Sequence, residues 1–386
     1  MAVPKLRFKA DDGSDYPDLV EIKIGDAIKE AKRPLDMKDD EKYQLVTVKR
    51  RNEGIISRGM FYGRDILVKN YYTVKKGDYI ISKRQVIHGA NGIVPPELDD
   101  AIVSNEYMVL SDSSTLLVNY LALYSMTKKM YHMFYISSYG VDIEKMFFNV
   151  DDWKKKKIMV PCIKEQQKIV ELFSLIDTVI AKQKETVSAW EERKKGVMQK
   201  LFGQEVRFKA DDGSNFPDWE EKHFSEMYKS IPNKQYQIST KEYKKCGKYK
   251  VIDQGKDFIA GYYDDKSKVY GSVPIIVYGD HTTVVKYLDE PFVIGADGTK
   301  LLDKISNNFD IKFLYFALNF NNVKQMGYKR HFSALKEISF TIPSSLAEQQ
   351  KIADCLSSLD EVIEKQKATL AAWEELKKGL LQQMFV

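Results

Sequence analysis

Glu165-Gln-Gln-Lys-Ile-Val-Glu-Leu-Phe173 opens a stretch that runs to Phe202 and returns without a gap as Glu348-Gln-Gln-Lys-Ile-Ala-Asp-Cys-Leu356 through Phe385. The two copies are identical at 22 of 38 positions, far beyond chance. A second repeat pairs Leu6-Arg-Phe-Lys-Ala-Asp-Asp-Gly-Ser-Asp-Tyr-Pro-Asp18 with Val206-Arg-Phe-Lys-Ala-Asp-Asp-Gly-Ser-Asn-Phe-Pro-Asp218, identical at 10 of 13. The offsets are 183 and 200, and the difference of 17 falls in the segments between the repeats: residues 19–164 number 146 and residues 219–347 number 129. The chain therefore divides into an N-terminal segment 1–18 that repeats 201–218, a variable unit 19–164, a constant helix and connector 165–218, a second variable unit 219–347, and a second constant helix 348–386. Two constant parts do one job twice, while two variable parts do related jobs on different targets.

The constant parts carry a heptad. Ile169, Ile176, Gln183, Trp190 and Val197 fall at one seam position, and Phe173, Ile180, Val187, Lys194 and Leu201 at the other. The second copy keeps this register with Ile352, Leu359, Gln366, Trp373 and Leu380, then Leu356, Ile363, Leu370, Lys377 and Met384. No proline interrupts either copy, so each is expected to be one helix of about 57 Å at 1.5 Å per residue. Polar layers at Gln183/Gln366 and Lys194/Lys377 favour pairing of the two helices with each other over packing on separate domains, because a buried polar layer penalises other registers. If a two-fold axis relates the halves, the pairing is antiparallel. Phe385 then lies where the N-terminal segment begins, and the order of parts is effectively circular.

At 386 residues the chain has room for two or three domains with real cores. Its 44% hydrophobic, 30% charged and 12% aromatic content is that of a folded protein. A net charge of +5 is compatible with nucleic acid without establishing it. Cys162, Cys246 and Cys355 are too far apart in sequence to suggest a disulfide framework or a thiolate metal site, which points to a reducing compartment. No run approaches 18 apolar residues, and the start lacks the apolar core of a secretory signal, so a cytoplasmic, membrane-free protein is expected.

Both variable units read as α+β. In the first, short β-rich runs at Tyr43–Val48, Ile66–Val68, Tyr79–Ile81 and Ala101–Leu110 precede a helical stretch Leu116–Met130; in the second, Lys250–Asp253, Val273–Tyr278 and Pro291–Gly295 precede Ile311–Phe320. From Lys49 to His88 ten Lys/Arg face only Glu53, Asp65 and Asp78, a local +7. Tyrosines interleave the cations, as suits a surface that neutralises phosphates and presents flat polar groups to bases. Two loops have the composition of base readers, Ile81-Ser-Lys-Arg-Gln-Val-Ile-His-Gly-Ala-Asn-Gly92 and Tyr278-Gly-Asp-His-Thr-Thr-Val-Val-Lys286. Arg reads guanine and Gln or Asn reads adenine in the major groove. Ordinary hairpin loops would look the same. The residues singled out for DNA contact are Arg58, Arg64, Tyr72, Lys83, Arg84, Gln85, His88 and Asn91 in the first unit, and Lys245, Tyr262, Tyr263, His281, Thr282, Thr283, Lys286, Lys300, Lys329 and Arg330 in the second. No phosphate-loop, dinucleotide-binding, Asn-Pro-Pro-aromatic, metal-ligand or nuclease pattern occurs, and no residue is assigned a catalytic or metal-binding role.

Two helices opened by Glu-Gln-Gln-Lys-Ile and closing near Lys-Lys-Gly, alternating with two unlike domains, resemble the specificity subunit of a type I restriction-modification system. The resemblance covers essentially the whole chain and rests on Pro161…Glu165–Ile169, Pro343…Glu348–Ile352, Val74…Asp78, Val103–Tyr107 and Gly279–Thr282. It implies two α+β target recognition domains, each reading half of an asymmetric bipartite double-stranded DNA sequence, separated by an antiparallel coiled coil that sets their spacing and docks two modification (methyltransferase) subunits. It implies further that this chain is non-catalytic and binds no cofactor, with S-adenosylmethionine, ATP and Mg2+ on the modification and restriction subunits. One departure is the link from Pro161 to Glu165, a residue shorter than that from Pro343 to Glu348. A stand-alone DNA-binding regulator and a non-reading assembly scaffold remain compatible with the residues themselves.

Overall fold

The computed structural model describes residues 4–325, 327 and 329–385; the first three residues of segment 1–18 and the last of segment 348–386 lie outside it. By contacts the chain divides into two units, Met1–Lys184 with Thr369–Val386, and Glu185–Ala368. The first long helix, Ile163–Phe202, and the second, Leu346–Met384, are each divided between the units.

In the first unit, Lys42–Val48 is the strand that explains the sheet pattern. Tyr43 and Leu45 face one core cluster with Ile66 and Ile102, whereas Val46 and Val48 face another with Val74, Ile80 and Val109. A register shift between Leu45 and Val46 marks the change of side. Buried on both faces, the strand pairs antiparallel with Ile55–Tyr62 and parallel with Ile102–Ser104, which in turn carries Tyr71–Thr73. A second four-stranded sheet runs in the order Lys29–Glu30, Tyr107–Ser111, Tyr79–Ser82, Asn91–Ile93. Val20–Lys23 and Lys157–Val160 form a two-stranded ribbon that closes the domain.

The second unit repeats the two four-stranded sheets and the closing ribbon. Gly261–Tyr263, Tyr249–Ile252, Phe292–Ile294 and Val269–Tyr270 form one sheet, again with a single parallel pair. Tyr228–Ile231, Thr299–Lys304, Ile275–Gly279 and Val285–Leu288 form the other, and Trp219–His223 pairs with Ser339–Pro343 as the closing ribbon. Taken in sequence order, the corresponding strands occupy the same places in both units, so the α+β expectation holds at the level of topology.

Three local expectations are corrected. Ile66–Val68 is not a strand: it follows the short turn Gly63–Asp65, Ile66 is buried, and Leu67 is 97% exposed, so apolar composition had no neighbouring strand to pair with. Ala101–Leu110 is two strands in two different sheets, Ile102–Ser104 and Tyr107–Ser111. Leu116–Met130 breaks into helices Val118–Tyr124 and Lys128–Ile136, because Thr127 caps the second by accepting a hydrogen bond from the Met130 amide.

Within each unit the long-helix segments run antiparallel. In the first, Asp177 meets Lys377 at 2.5 Å and Lys184 meets Glu374 at 3.0 Å; in the second, Lys194 meets Asp360 at 2.6 Å and Glu191 meets Lys367 at 2.9 Å. Seam residues Ile169, Phe173, Ile176, Ile180, Val187, Ile352, Leu356 and Ile363 are buried, and Trp190, Leu359, Leu370 and Trp373 half-buried. The like-charged layer expected at Lys194 and Lys377 is corrected, since within its own unit each lysine has an acidic partner. Each reaches an aspartate of the other helix, which removes the repulsion such a layer would carry.

Candidate nucleic-acid interface

The repeated motif is the fastener on which each domain is mounted. Glu165, 1% exposed, receives Arg7 Nε at 3.1 Å and Nη2 at 2.6 Å, while Arg7 Nη2 also donates to the Pro17 carbonyl. Glu348, fully buried, receives Arg207 Nε at 3.0 Å and Nη2 at 2.8 Å, and Arg207 donates likewise to Pro217. Such two-pronged charged hydrogen bonds fix both distance and orientation. The next residue, Gln166, donates to the Pro161 and Thr115 carbonyls and accepts from the Leu117 amide, holding the entry to helix Val118–Tyr124. Gln349 does the same with Pro343, Asn308 and Asp310 ahead of helix Ile311–Phe320. Lys168 and Lys351 reach Asp11 and Asp211 in the Asp-Asp-Gly-Ser turns. The shorter link after Pro161 leaves this set of bonds intact. The circular order has a local counterpart: Leu6 N donates to Gln383 O, as Val206 N donates to Lys200 O, so the N-terminal segment meets the second helix as the connector meets the first.

On the first domain, Arg58, Arg84 and Gln85 converge with Tyr71 and Tyr107 around a cavity of about 290 Å³. Arg84 is exposed and pairs with Glu106, its Nε 2.5 Å from Oε2. The Gln85 carboxamide oxygen is buried with no hydrogen-bond partner. Tyr72 and Lys83 line a neighbouring cavity of about 330 Å³ that also touches Tyr107. Arg64 stands apart, over the Tyr62 ring at 4.6 Å. His88 belongs to a third cleft, described below. Asn91 is corrected: it is 3% exposed, and its oxygen lies 2.9 Å from the Tyr79 hydroxyl inside the core, because the chain turns inward at Ala90 to begin the edge strand. It has no face to offer a base.

On the second domain, the loop after Ile275–Gly279 is tied to Asn322, Gln325, His331 and Phe332. Buried Asp280 accepts from the His331 and Phe332 amides, Asn322 donates to the Thr283 carbonyl and Gln325 to that of His281. His281, Thr282 and Thr283 are thereby gathered with exposed Lys329 and Arg330, and Lys300 joins them 5.8 Å from the Phe332 ring. Tyr262 and Tyr263 lie apart, on the outer strand of the other sheet, and Lys245 follows Lys244, which bridges to Tyr262. Lys286 is corrected: it is 4% exposed and donates to the carbonyls of Asp253 at 2.8 Å and Asp257 at 2.6 Å. Burial pushes its ammonium pKa down. It fastens a loop and presents no charge outward.

Sequence reading missed Gln254, whose side chain donates to the Asp297 carbonyl and accepts from the His281 amide, and Glu144 with the turn Arg50–Asn52. Gln254 carried no local signal, since its partners lie 27 and 43 residues away. The turn was not read, because no β-run was expected where strand Ile55–Tyr62 completes its hairpin, and its docking against His88 joins loops distant in sequence. Among the described residues no group of three or more His, Cys, Asp or Glu is placed to hold a metal ion, and no helix is long and apolar enough to cross a membrane.

Two domains of one strand order, each mounted on a long helix by the same Arg–Glu pair, define a class that the comparisons identify. The type I restriction modification DNA specificity domain matches residues 16–188 and 217–372, so the chain belongs to that family. It is 24% identical to the MjaVIII specificity subunit of Methanocaldococcus jannaschii over 97% of this chain and 94% of that protein. It is 25% identical to the putative MjaX specificity subunit of the same organism over 62% of this chain, spanning 60% of the relative's length. In fold it is similar to the type I S subunit from M. genitalium, with a TM-score of 0.60 at 14% identity over 100% of this chain and 99% of that one. A chain from a structure of type I restriction-modification complex assembly gives 0.54 at 15% identity over 96% and 98%.

Proposed function

We propose that this chain is the non-catalytic sequence reader of a type I restriction-modification complex, each domain reading one half of an asymmetric bipartite target in double-stranded DNA. The observation that carries this reading is the conjunction of one topology with two unlike loop sets. The fasteners repeat almost residue for residue, while the loops after strands Tyr79–Ser82 and Ile275–Gly279 share no sequence, as expected when two mounts of one kind present different readers. The named relatives are specificity subunits, which favours this over a free-standing regulator or a non-reading scaffold.

The long helices act as the spacer and as the docking surface for two modification subunits. Those subunits supply methyl transfer with S-adenosylmethionine, and restriction subunits supply ATP- and Mg2+-dependent cleavage, in the cytoplasm. Half-sites of 3–4 base pairs centred about one helical turn apart leave a spacer of roughly 6–7. Lengthening the first helix by four residues should widen that spacer by about one to two pairs. At the level of single contacts, Arg84→Ala should relax one base preference at about 1–3 kcal/mol, whereas Lys245→Ala should weaken binding evenly across sequences. The deciding experiment maps adenine methylation genome-wide in cells expressing the chain with a cognate modification subunit, against cells lacking the chain. A bipartite motif present only with the chain is the expected result. Its absence despite a co-purifying complex would leave the chain a scaffold.

A further inference from the structure

The first unit contains a segment without counterpart in the second. Between helix Val118–Tyr124 and helix Val150–Lys154 it inserts helix Lys128–Ile136 and the ribbon Ser138–Tyr139/Phe147–Phe148, whereas the second unit passes from Ile311–Phe320 to Phe332–Lys336 without an intervening strand or helix among the described residues. This insertion closes a cleft of about 480 Å³ against two turns of the sheets, lined among others by Arg50, Arg51, Asn52, His88, Tyr131 and Glu144.

The two turns are locked together by backbone alone. The Arg51 amide donates to the His88 carbonyl at 2.7 Å and the Asn52 amide to that of Gly89 at 2.9 Å. Arg51 and Asn52 both take positive φ, 61° and 56°, an uncommon conformation that sets Arg50 and Arg51 on the rim beside His88. Into this group reaches one carboxylate from the insertion. Glu144 lies 2.9 Å from Arg50 Nη2 and 3.5 Å from His88 Nε2. Both Arg50 and Glu144 are about half exposed, so the pair contributes little to folding. What it marks is a place where Arg50 hydrogen-bonds an anion that also approaches His88, with Arg51 on the same rim.

We propose that Arg50, Arg51 and His88 form a phosphodiester subsite of the first domain, and that Glu144 holds this place until a DNA backbone phosphate displaces it. The proposal rests on the DNA-reading function proposed above and deepens it. It names the part of the ligand taken here, and it makes the two domains unequal, since among the described residues the second has no inserted helix or ribbon to supply such a carboxylate. The two arginines then serve positioning, with sequence readout left to the Arg58, Arg84 and Gln85 group.

The test uses the full chain with its modification subunits and a duplex carrying the mapped target, titrated at several salt concentrations. Arg50→Gln should weaken binding several-fold and flatten the dependence of log K on log salt by about 0.9, the loss of one phosphate contact. Glu144→Gln should tighten binding several-fold, because the competing carboxylate is gone while its hydrogen-bonding shape remains. Tightening in the second with weakening in the first supports the subsite. Weaker or unchanged binding in Glu144→Gln overturns it, the pair then being a structural bridge. Inorganic phosphate and a mononucleotide serve as a further arm: saturable binding of either to Glu144→Gln without any change in DNA affinity assigns the cleft to a free anion and also overturns the proposal. If neither variant changes DNA binding while Arg84→Ala relaxes a base preference, the subsite fails and the reading function stands. If Arg84→Ala and Lys245→Ala are silent as well, the reading function fails with it.

Discussion

The two recognition domains solve the same loop-anchoring problem with different chemistry. In the first, the hairpin turn Arg50–Asn52 is pinned to the loop after Tyr79–Ser82 by two amide-to-carbonyl bonds. In the second, the corresponding loop after Tyr249–Ile252 is held by side chains: Gln254 reaches His281 and Asp297, Thr282 donates to the Gln254 carbonyl, and Lys286 donates to the carbonyls of Asp253 and Asp257. Strand order therefore fixes which loops meet, and leaves open how they are fastened. A scaffold with that property can change its reading residues without changing its fold.

The largest way to break the comparison is to exchange a whole domain. Replacing residues 19–164 with the corresponding domain of another family member should change one half-site completely and leave the other as it was, read by methylation mapping. A change in both half-sites would mean that the domains are not separately mounted.

The next effect concerns the mounts. Glu165 and Glu348 are buried carboxylates, and removing the arginine leaves each without its charged partner. Arg7→Ala should cost roughly 2–4 kcal/mol in denaturant unfolding, below the range for a fully buried pair because the arginine itself is part-exposed. Arg207→Ala should cost about 1 kcal/mol less, since Glu348 retains a hydrogen bond from Trp219 Nε1 at 3.2 Å, whereas the repeat places Leu19, which has no donor, at the equivalent position. Equal losses would show that the tryptophan contributes nothing to the mount.

Lys286→Met separates a fastener from a contact. Loss of its bonds to the two carbonyls should destabilise the second domain by about 2 kcal/mol and leave the salt dependence of DNA binding unchanged. A flatter salt dependence at unaltered stability would restore it to the interface.

How much of this was legible follows from the range of the signals. The long helices were readable in extent and period, because a heptad and an uninterrupted run are local properties and the repeat announced that whatever one copy does the other does too, but the aspartate partners of Lys194 and Lys377 were not. The strand plan was readable in outline, yet Ile66–Val68 and Ala101–Leu110 misled, since a strand exists only where another strand pairs with it. Among the candidate contacts, residue type alone could not separate Arg84, exposed beside Glu106, from Lys286, sealed under a loop. Both are cations near a turn. What distinguishes them is a set of carbonyls up to 33 residues away, which no window of sequence contains.

The smallest effect is the sharpest probe of the backbone-pinned domain. Gly89 has φ of 72°, and a β-carbon there would meet the Asn52 amide nitrogen at 3.1 Å and that of Arg51 at 3.2 Å. Gly89→Ala therefore carries both the left-handed penalty, about 1–2 kcal/mol, and a push against the two amides that lock the turns together. Because those amides set Arg51 and Asn52 beside His88, the expected result is a loss of about 1–2 kcal/mol in stability with weaker DNA binding at unchanged base preference. Stability lost without any change in DNA affinity would mean that the turns hold each other but not the phosphate-binding group, and the different fastening of the two domains would then be a matter of folding only.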